Sequence, residues 1–322
     1  MPVRYTSYQH FISRYFTCRI QKLPVDVGCT CPVRDGSKGW GGCSFCNGRS
    51  FVTAASDKTQ SVAEQLAAGK AFYRRKYAAR PDTAFLAYFQ AGSNTYAPVS
   101  ELSPLFEEAL SVEGVRGLVL ATRPDCLSSE WLDYLVQLSR ETFVMVELGV
   151  ESLNDNTLLA VGRGHTVVQS AWAVRKLADL SIPVGIHLVF GLPGDDREQI
   201  CQWSGVVSRW PVDVLKLHQL QILRGARMAR EYADYPEHFQ LFTPRDYVSL
   251  VVDFLEGLAP DIAVERFVSQ APSEALVAPR WGMKNEEVLQ LIEREMVQRG
   301  TFQGKKRLCE FCISARLSGN LF

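Results

Sequence analysis

No run of about 18 or more apolar residues occurs anywhere in the 322-residue chain, and the most apolar segments, near Ile182 to Leu192 and Val248 to Leu258, are broken by His187, Gly191 or Asp253. Hydropathy therefore excludes a membrane-spanning helix. Net charge is also missing, since Lys+Arg and Asp+Glu both number 35. Nothing in that balance calls for nucleic acid or an anionic membrane, although a local basic groove stays open. The first residues, Met1 to Phe16, mix Arg4, Gln9, His10 and Arg14 with aromatics and contain no apolar core of signal-peptide length, so a cytoplasmic protein is expected. Internal repeats and low-complexity tracts are absent, which excludes a solenoid. Cysteine is not scarce. Nine of them, without a secretory signal, read as metal or redox chemistry rather than disulfides.

The chain alternates strand-like and helix-like patterns. Strand-like runs lie near Ile20 to Val27, Ala84 to Gln90, Gly117 to Thr122, Phe143 to Glu151, Val184 to Phe190 and Asp213 to Leu220. Ser61 with Glu64, and Thr166 with Gln169, form capping boxes ahead of amphipathic helices. Six such units imply a parallel sheet, either doubly wound or curled into a barrel. The strand faces choose between these. In Phe143 to Glu151 one face carries Val144, Val146, Leu148 and Val150, and the other Met145, Glu147, Gly149 and Glu151; His187, Lys216 and His218 likewise oppose apolar faces. A sheet covered on both sides should be apolar on both faces. The pattern predicts an α/β fold, a partial (β/α)6 TIM-type barrel with a wet lumen and a small α/β C-terminal cap. Its expected divisions are an N-terminal extension over 1–19, a barrel over 20–240, and the cap and tail over 241–322.

Cys31, Cys43 and Cys46 form a C-x11-C-x2-C loop, CPVRDGSKGWGGCSFC, just after the first strand. Four thiolates normally saturate a 4Fe–4S cluster, so three leave one iron open to a ligand. A zinc site that recruits Cys29 as fourth ligand is the alternative. Glu147 reads as an ion-pair partner of Arg123 or Lys216, or as a site residue. Lys216 is either a salt-bridge partner or a contact to substrate or cofactor. A CxxC pair at Cys309 and Cys312 supplies two thiols at most.

Several motifs in order, namely CPVRDG, GGCSFC, LAYFQAGSNTYAP, ATRPDCL, VELGVESLND, VGRGHTV, HLVFGLPGDD and VLKLHQLQILRGARMA, span about Gly28 to Ala229. Together they resemble the radical-SAM superfamily, and within it the bacterial YhcC-type family, related to the radical-SAM domain of the elongator catalytic subunit. The resemblance implies a 4Fe–4S cluster on Cys31, Cys43 and Cys46 and S-adenosylmethionine (SAM) at the C-terminal ends of the strands. It implies that Phe45 packs near the adenine, that Gln90 and Ser93 lie in a segment facing the methionine amino group, and that Glu151 meets the ribose. Arg163 would pair with the SAM carboxylate, and His187 stands where a relative has a ribose-binding Asp. The implied activity is reductive cleavage of SAM to a 5'-deoxyadenosyl radical that abstracts hydrogen from the substrate. The implied partners are a low-potential electron donor of the flavodoxin or ferredoxin type and, because such relatives act on tRNA, an RNA substrate. A non-enzymatic iron–sulfur or zinc RNA-binding protein and a radical-SAM enzyme of small metabolites are the alternatives.

Overall fold

The computed structural model describes residues 4–48, 56–76, 82–269 and 271–308. Its elements run in order as α1 (Tyr8–Ile12), β1 (Arg19–Val25), α2 (Val62–Lys76), β2 (Thr83–Phe89), α3 (Val99–Ser111), β3 (Val115–Thr122), α4 (Ser129–Ser139), β4 (Phe143–Glu151), α5 (Asp155–Ala160) and α6 (Val167–Asp179). There follow β5 (Val184–Phe190), α7 (Arg197–Val207), β6 (Val214–Gln219), β7 (Ile222–Leu223), α8 (Arg227–Asp234), α9 (Pro244–Gly257), β8 (Ala263–Arg266), β9 (Leu276–Ala278) and α10 (Asn285–Gln298). Seven strands form one sheet in the order β1-β2-β3-β4-β5-β6-β8, and every neighbouring pair is parallel. This is the partial TIM-type barrel that the strand faces predict.

Both expected capping boxes form. Glu64 accepts from the Ser61 backbone N–H at 2.8 Å, and Thr166 and Gln169 cap each other's backbone at the head of α6. The outward face of the sheet packs against the helices in one large core that includes Leu23, Leu66, Phe89, Phe106, Leu148, Leu188, Phe254 and Ile292. Every second residue of each strand points the other way, into the lumen.

Two expectations change. The barrel has a seventh strand: β8, which lies in the 241–322 segment set aside as a cap, pairs with β6 through Val214–Ala263 and Leu215–Val264. Its four residues are too short to announce themselves as a barrel strand. The lumen, expected to be wet, is wet only in its C-terminal half. At the N-terminal end Ile20, Leu86, Val119, Met145, Val214 and Ala263 make an apolar layer, and α1 closes it from below with Phe11 and Ile12, which are 1% and 0% exposed. The N-terminal extension is thus a plug. Ser7 bridges Val264 on β8, so α1 is anchored to an edge of the sheet.

Candidate active site

Above the apolar layer a cavity of about 390 Å³ opens at the C-terminal ends of the strands. Cys31, Cys43 and Cys46 all line it, together with Phe45, Gln90, Ser93, Glu151, Arg163, His187 and Lys216. The strand ends therefore gather every expected site residue around one space. Each thiol of the triad has a polar neighbour. Cys31 Sγ lies 3.1 Å from the buried Ser93 hydroxyl, Arg34 donates through Nη2 to Cys46 Sγ at 3.3 Å, and Arg163 donates through Nη1 to Cys43 Sγ at 3.6 Å. Donors of this kind lower the energy of a thiolate. Among the described residues no three His, Cys, Asp or Glu side chains converge on a point that holds a single ion. The three sulfurs line one shared cavity.

Cys29 also lines this cavity, but burial, reinforced by Asp26 and Cys31, pushes its thiol up to about 12. Its carbonyl packs against Gly92, which has φ 72° and no room for a Cβ. That contact brings the loop after β2, with Ser93, onto the cysteine loop. Asn94 fixes the same loop from behind, donating to the carbonyls of Phe89, Ala91 and Ala121.

Arg163 is the hub between the triad and the end of β4. Its Nη2 donates to Gly149 O at 2.5 Å and lies 3.4 Å from Glu151 Oε1. Burial opposes its charge, but the Cys43 thiol and the Glu151 carboxylate outweigh it and raise the pKa further. A Cβ at Gly149 would come within 2.5 Å of Arg163 Nη2 and Glu151 Oε1, so a larger residue there would displace the ends of both side chains. Glu151 follows a register shift in the β4–β5 ladder and has φ 71°, a left-handed conformation that is uncommon outside glycine. The backbone thus turns Glu151 over Arg163. Arg163 Nε is buried without a partner among the described residues. Phe45 packs beside Val161, Leu192 and Leu220 and forms the apolar wall of the cavity.

The floor is a buried ion network. Glu147 Oε1 meets Lys22 Nζ at 2.6 Å, and its Oε2 meets Lys216 Nζ at 2.6 Å and His187 Nε2 at 3.0 Å. Glu265 completes it, 2.5 Å from Lys22 and 3.2 Å from Lys216. Burial works against the Glu147 carboxylate, but Lys216 and Lys22 hold its pKa well below the ordinary value. Burial pushes Lys216 down in spite of Glu147 and Glu265. Lys216 is a satisfied salt-bridge partner and also lines the cavity. Its three N–H donors face Glu147, Glu265 and the Tyr88 hydroxyl at 3.3 Å, and it is 2% exposed. Arg123, the other partner considered for Glu147, pairs with Asp125 at 2.9 Å instead.

Sequence reasoning missed Arg34, Lys22 and Glu265. Lys22 shares the inward face with Ile20 by simple alternation, and Arg34 stands inside the cysteine loop, so both carried a signal. Glu265 carried none while its strand was counted outside the barrel. Cys309 and Cys312 lie outside the described residues.

A family model described as the radical SAM superfamily matches residues 36–203, just over half of the chain, and takes in Cys43 and Cys46. The chain belongs to the radical SAM superfamily. A second model, the Radical_SAM C-terminal domain, matches residues 212–298. Among relatives, YtqA of Bacillus subtilis is 34% identical over 94% of this chain and 92% of its own length, and YhcC of Escherichia coli is 33% identical over 84% and 85%. A tRNA uridine(34) acetyltransferase of Dehalococcoides mccartyi is 26% identical over 55% of this chain and 38% of its own. The structure of archaeal Elp3 from Methanocaldococcus infernus superposes with a TM-score of 0.69 at 16% identity, covering 89% of this chain and 65% of that one, and shares the fold.

As a radical SAM enzyme the chain works with a 4Fe–4S cluster and SAM, and it needs a reductant and a substrate. The residues present fit these groups. Three thiols border one cavity, guanidinium donors cover two of them, and the orphaned Arg163 Nε and Arg123 Nη1 are buried beside it. Among the described residues no helix is long and apolar enough to cross a membrane.

Proposed function

We propose that Cys31, Cys43 and Cys46 hold a 4Fe–4S cluster at which the chain reductively cleaves SAM. When bound, a cluster with one open iron supplies the electron that splits SAM into methionine and a 5'-deoxyadenosyl radical, the species that abstracts hydrogen. The observation that carries this reading is the convergence of the three thiols on one cavity at the strand ends, with Arg34 and Arg163 donating to two of them. Arg34 and Arg163 offset the negative charge of the thiolates. Phe45 offers an apolar surface for a purine, and the Glu151 carboxylate accepts from ribose hydroxyls. Gln90 and Ser93 contribute polar atoms on the opposite wall, toward an amino-acid end. His187, fixed through Nε2 by Glu147, presents the remainder of its ring to the cavity. These side chains orient the bound groups and exclude water around them.

The electron donor is of the flavodoxin or ferredoxin type. The resemblance to tRNA uridine(34) acetyltransferases makes tRNA the leading substrate class. Seven free cysteines among the described residues support a reducing, cytoplasmic setting.

The test is anaerobic reconstitution followed by assay of 5'-deoxyadenosine with dithionite as reductant. About four irons per chain and formation of 5'-deoxyadenosine are expected. A stoichiometric zinc site requiring Cys29, with no 5'-deoxyadenosine, would overturn the reading.

A further inference from the structure

Among the described residues, six Lys and Arg side chains line the cavity, and four of them are compensated within the protein. Arg34 faces the Cys46 thiol, Arg123 faces Asp125, Arg163 faces Cys43 and Glu151, and Lys216 faces Glu147 and Glu265. The other two, Lys58 and Arg266, are exposed and have no hydrogen-bond or ion-pair partner among the described residues. The nearest acid in sequence to Lys58, Asp57, is held by the backbone N–H and hydroxyl of Thr59 at 3.0 and 2.8 Å and senses the Lys58 charge through space without forming an ion pair with it.

Their positions matter as much as their charge. Lys58 lies in the connection after β1, with its aliphatic stem over Gly28, and Arg266 is the last residue of β8. Strands β1 and β8 are the two edges of the curled sheet. Lys58, through its contact over Gly28 just after β1, and Arg266, at the end of β8, therefore line the cavity from the two edges of the open seam. Below them the seam is closed by the Lys22–Glu265 pair and by α1.

We infer that the substrate presents a phosphate group that is received between Lys58 and Arg266. A guanidinium matches phosphate oxygens in a bidentate fork and an ammonium adds a point charge, so two cations from separate edges suit a group with several acceptor oxygens and a charge beyond −1. A lone carboxylate would leave one of them uncompensated. The inference deepens the radical SAM reading of this cavity and rests on it. The charge can come from two adjacent phosphodiesters of a nucleic-acid backbone, each carrying −1, or from one small phosphomonoester, and the experiment separates the two.

Holoprotein, reconstituted anaerobically and saturated with SAM, is titrated with two labelled probes, an unmodified anticodon-arm RNA hairpin and a 5'-phosphorylated mononucleotide. Lys58→Gln and Arg266→Gln are each expected to weaken binding about tenfold and the double variant about a hundredfold, with Arg266→Lys retaining part of the affinity. Should RNA be the source, each loss also lowers the salt slope by about one. Binding of the hairpin alone assigns a nucleic-acid backbone, and binding of the mononucleotide assigns a monoester. The inference is overturned when neither probe binds, or when both bind wild type and variants alike. Iron content and SAM affinity are measured on the same wild-type samples, and failure there counts against the functional reading rather than against the phosphate site.

Discussion

Lys22 and Glu265 meet across the lumen with Nζ and Oε2 2.5 Å apart, although 243 residues separate them in sequence and they stand on the two edge strands of the sheet. Hydrogen bonds between backbones do not close this barrel. A side-chain pair spans the gap instead, and Glu147 and Lys216 extend it across β4 and β6. Burial opposes the charge on Lys22, but Glu147 and Glu265 outweigh it and raise its pKa. With two carboxylates and two ammonium groups the network balances, so its members depend on one another.

Glu147→Gln should therefore destabilise the fold by about 3–5 kcal/mol, because it leaves two buried ammonium groups short of a carboxylate. Urea unfolding of the purified protein measures this. The double replacement Lys22→Met with Glu265→Leu removes charge in a pair and is expected to cost less than Glu147→Gln alone. The interdependence argument fails if Glu147→Gln lies within about 0.5 kcal/mol of wild type.

Cysteine replacements should divide in two. Cys31→Ala, Cys43→Ala and Cys46→Ala are each expected to abolish the reduced-cluster EPR signal, whereas Cys29→Ala, outside the C-x11-C-x2-C triad, should keep it. Loss of iron in the Cys29 variant would move the ligand set.

Arg163→Gln and Glu151→Ala should weaken SAM binding while cluster content persists. Losing one charge-assisted contact costs about 1.5–3 kcal/mol, which corresponds to roughly ten- to a hundredfold in affinity. Equilibrium binding on iron-loaded samples provides the measurement, and wild-type affinity in both variants would reduce these residues to a structural role.

Removing Arg34 probes the cluster itself. Arg34→Gln deletes the donor to Cys46 and should shift the cluster midpoint potential to a more negative value, since hydrogen bonds to the sulfurs favour the reduced, more negative state. Spectroelectrochemical titration reads the shift; an unchanged or more positive potential contradicts the assignment.

Acid should weaken the fold through His165. Burial, then Arg163 and Arg123, lower its pKa from 6.5 to about 3. Between those values the unfolded chain binds a proton that the folded chain refuses, so stability falls as pH drops, by up to about 1.4 kcal/mol per unit. Asp195 has the opposite sign: burial raises its pKa from 3.8 to about 6, so its contribution is lost as pH rises across that interval. The comparison is therefore between wild type and His165→Asn at each pH. The wild-type curve should carry the steeper acid decline, and parallel curves would show that His165 titrates normally in the fold.

Sequence alone determined the alternation of strands and helices, the inward direction of Glu147, His187 and Lys216, and the grouping of three cysteines in one loop. All of these follow from local rules, the period-two geometry of strands and the spacing of residues within a single segment. Tertiary structure decided which charges meet. Lys216 faces Glu147 and Glu265, and Arg123 faces Asp125, because the curl of the sheet sets distances between strands that alternation leaves undefined. It also decided that β8 joins the barrel, that α1 fills the lower lumen, and that Glu151 turns over Arg163 at φ 71°. Each of these depends on long-range packing, where a four-residue strand or a single backbone angle is stabilised by partners far away in the chain.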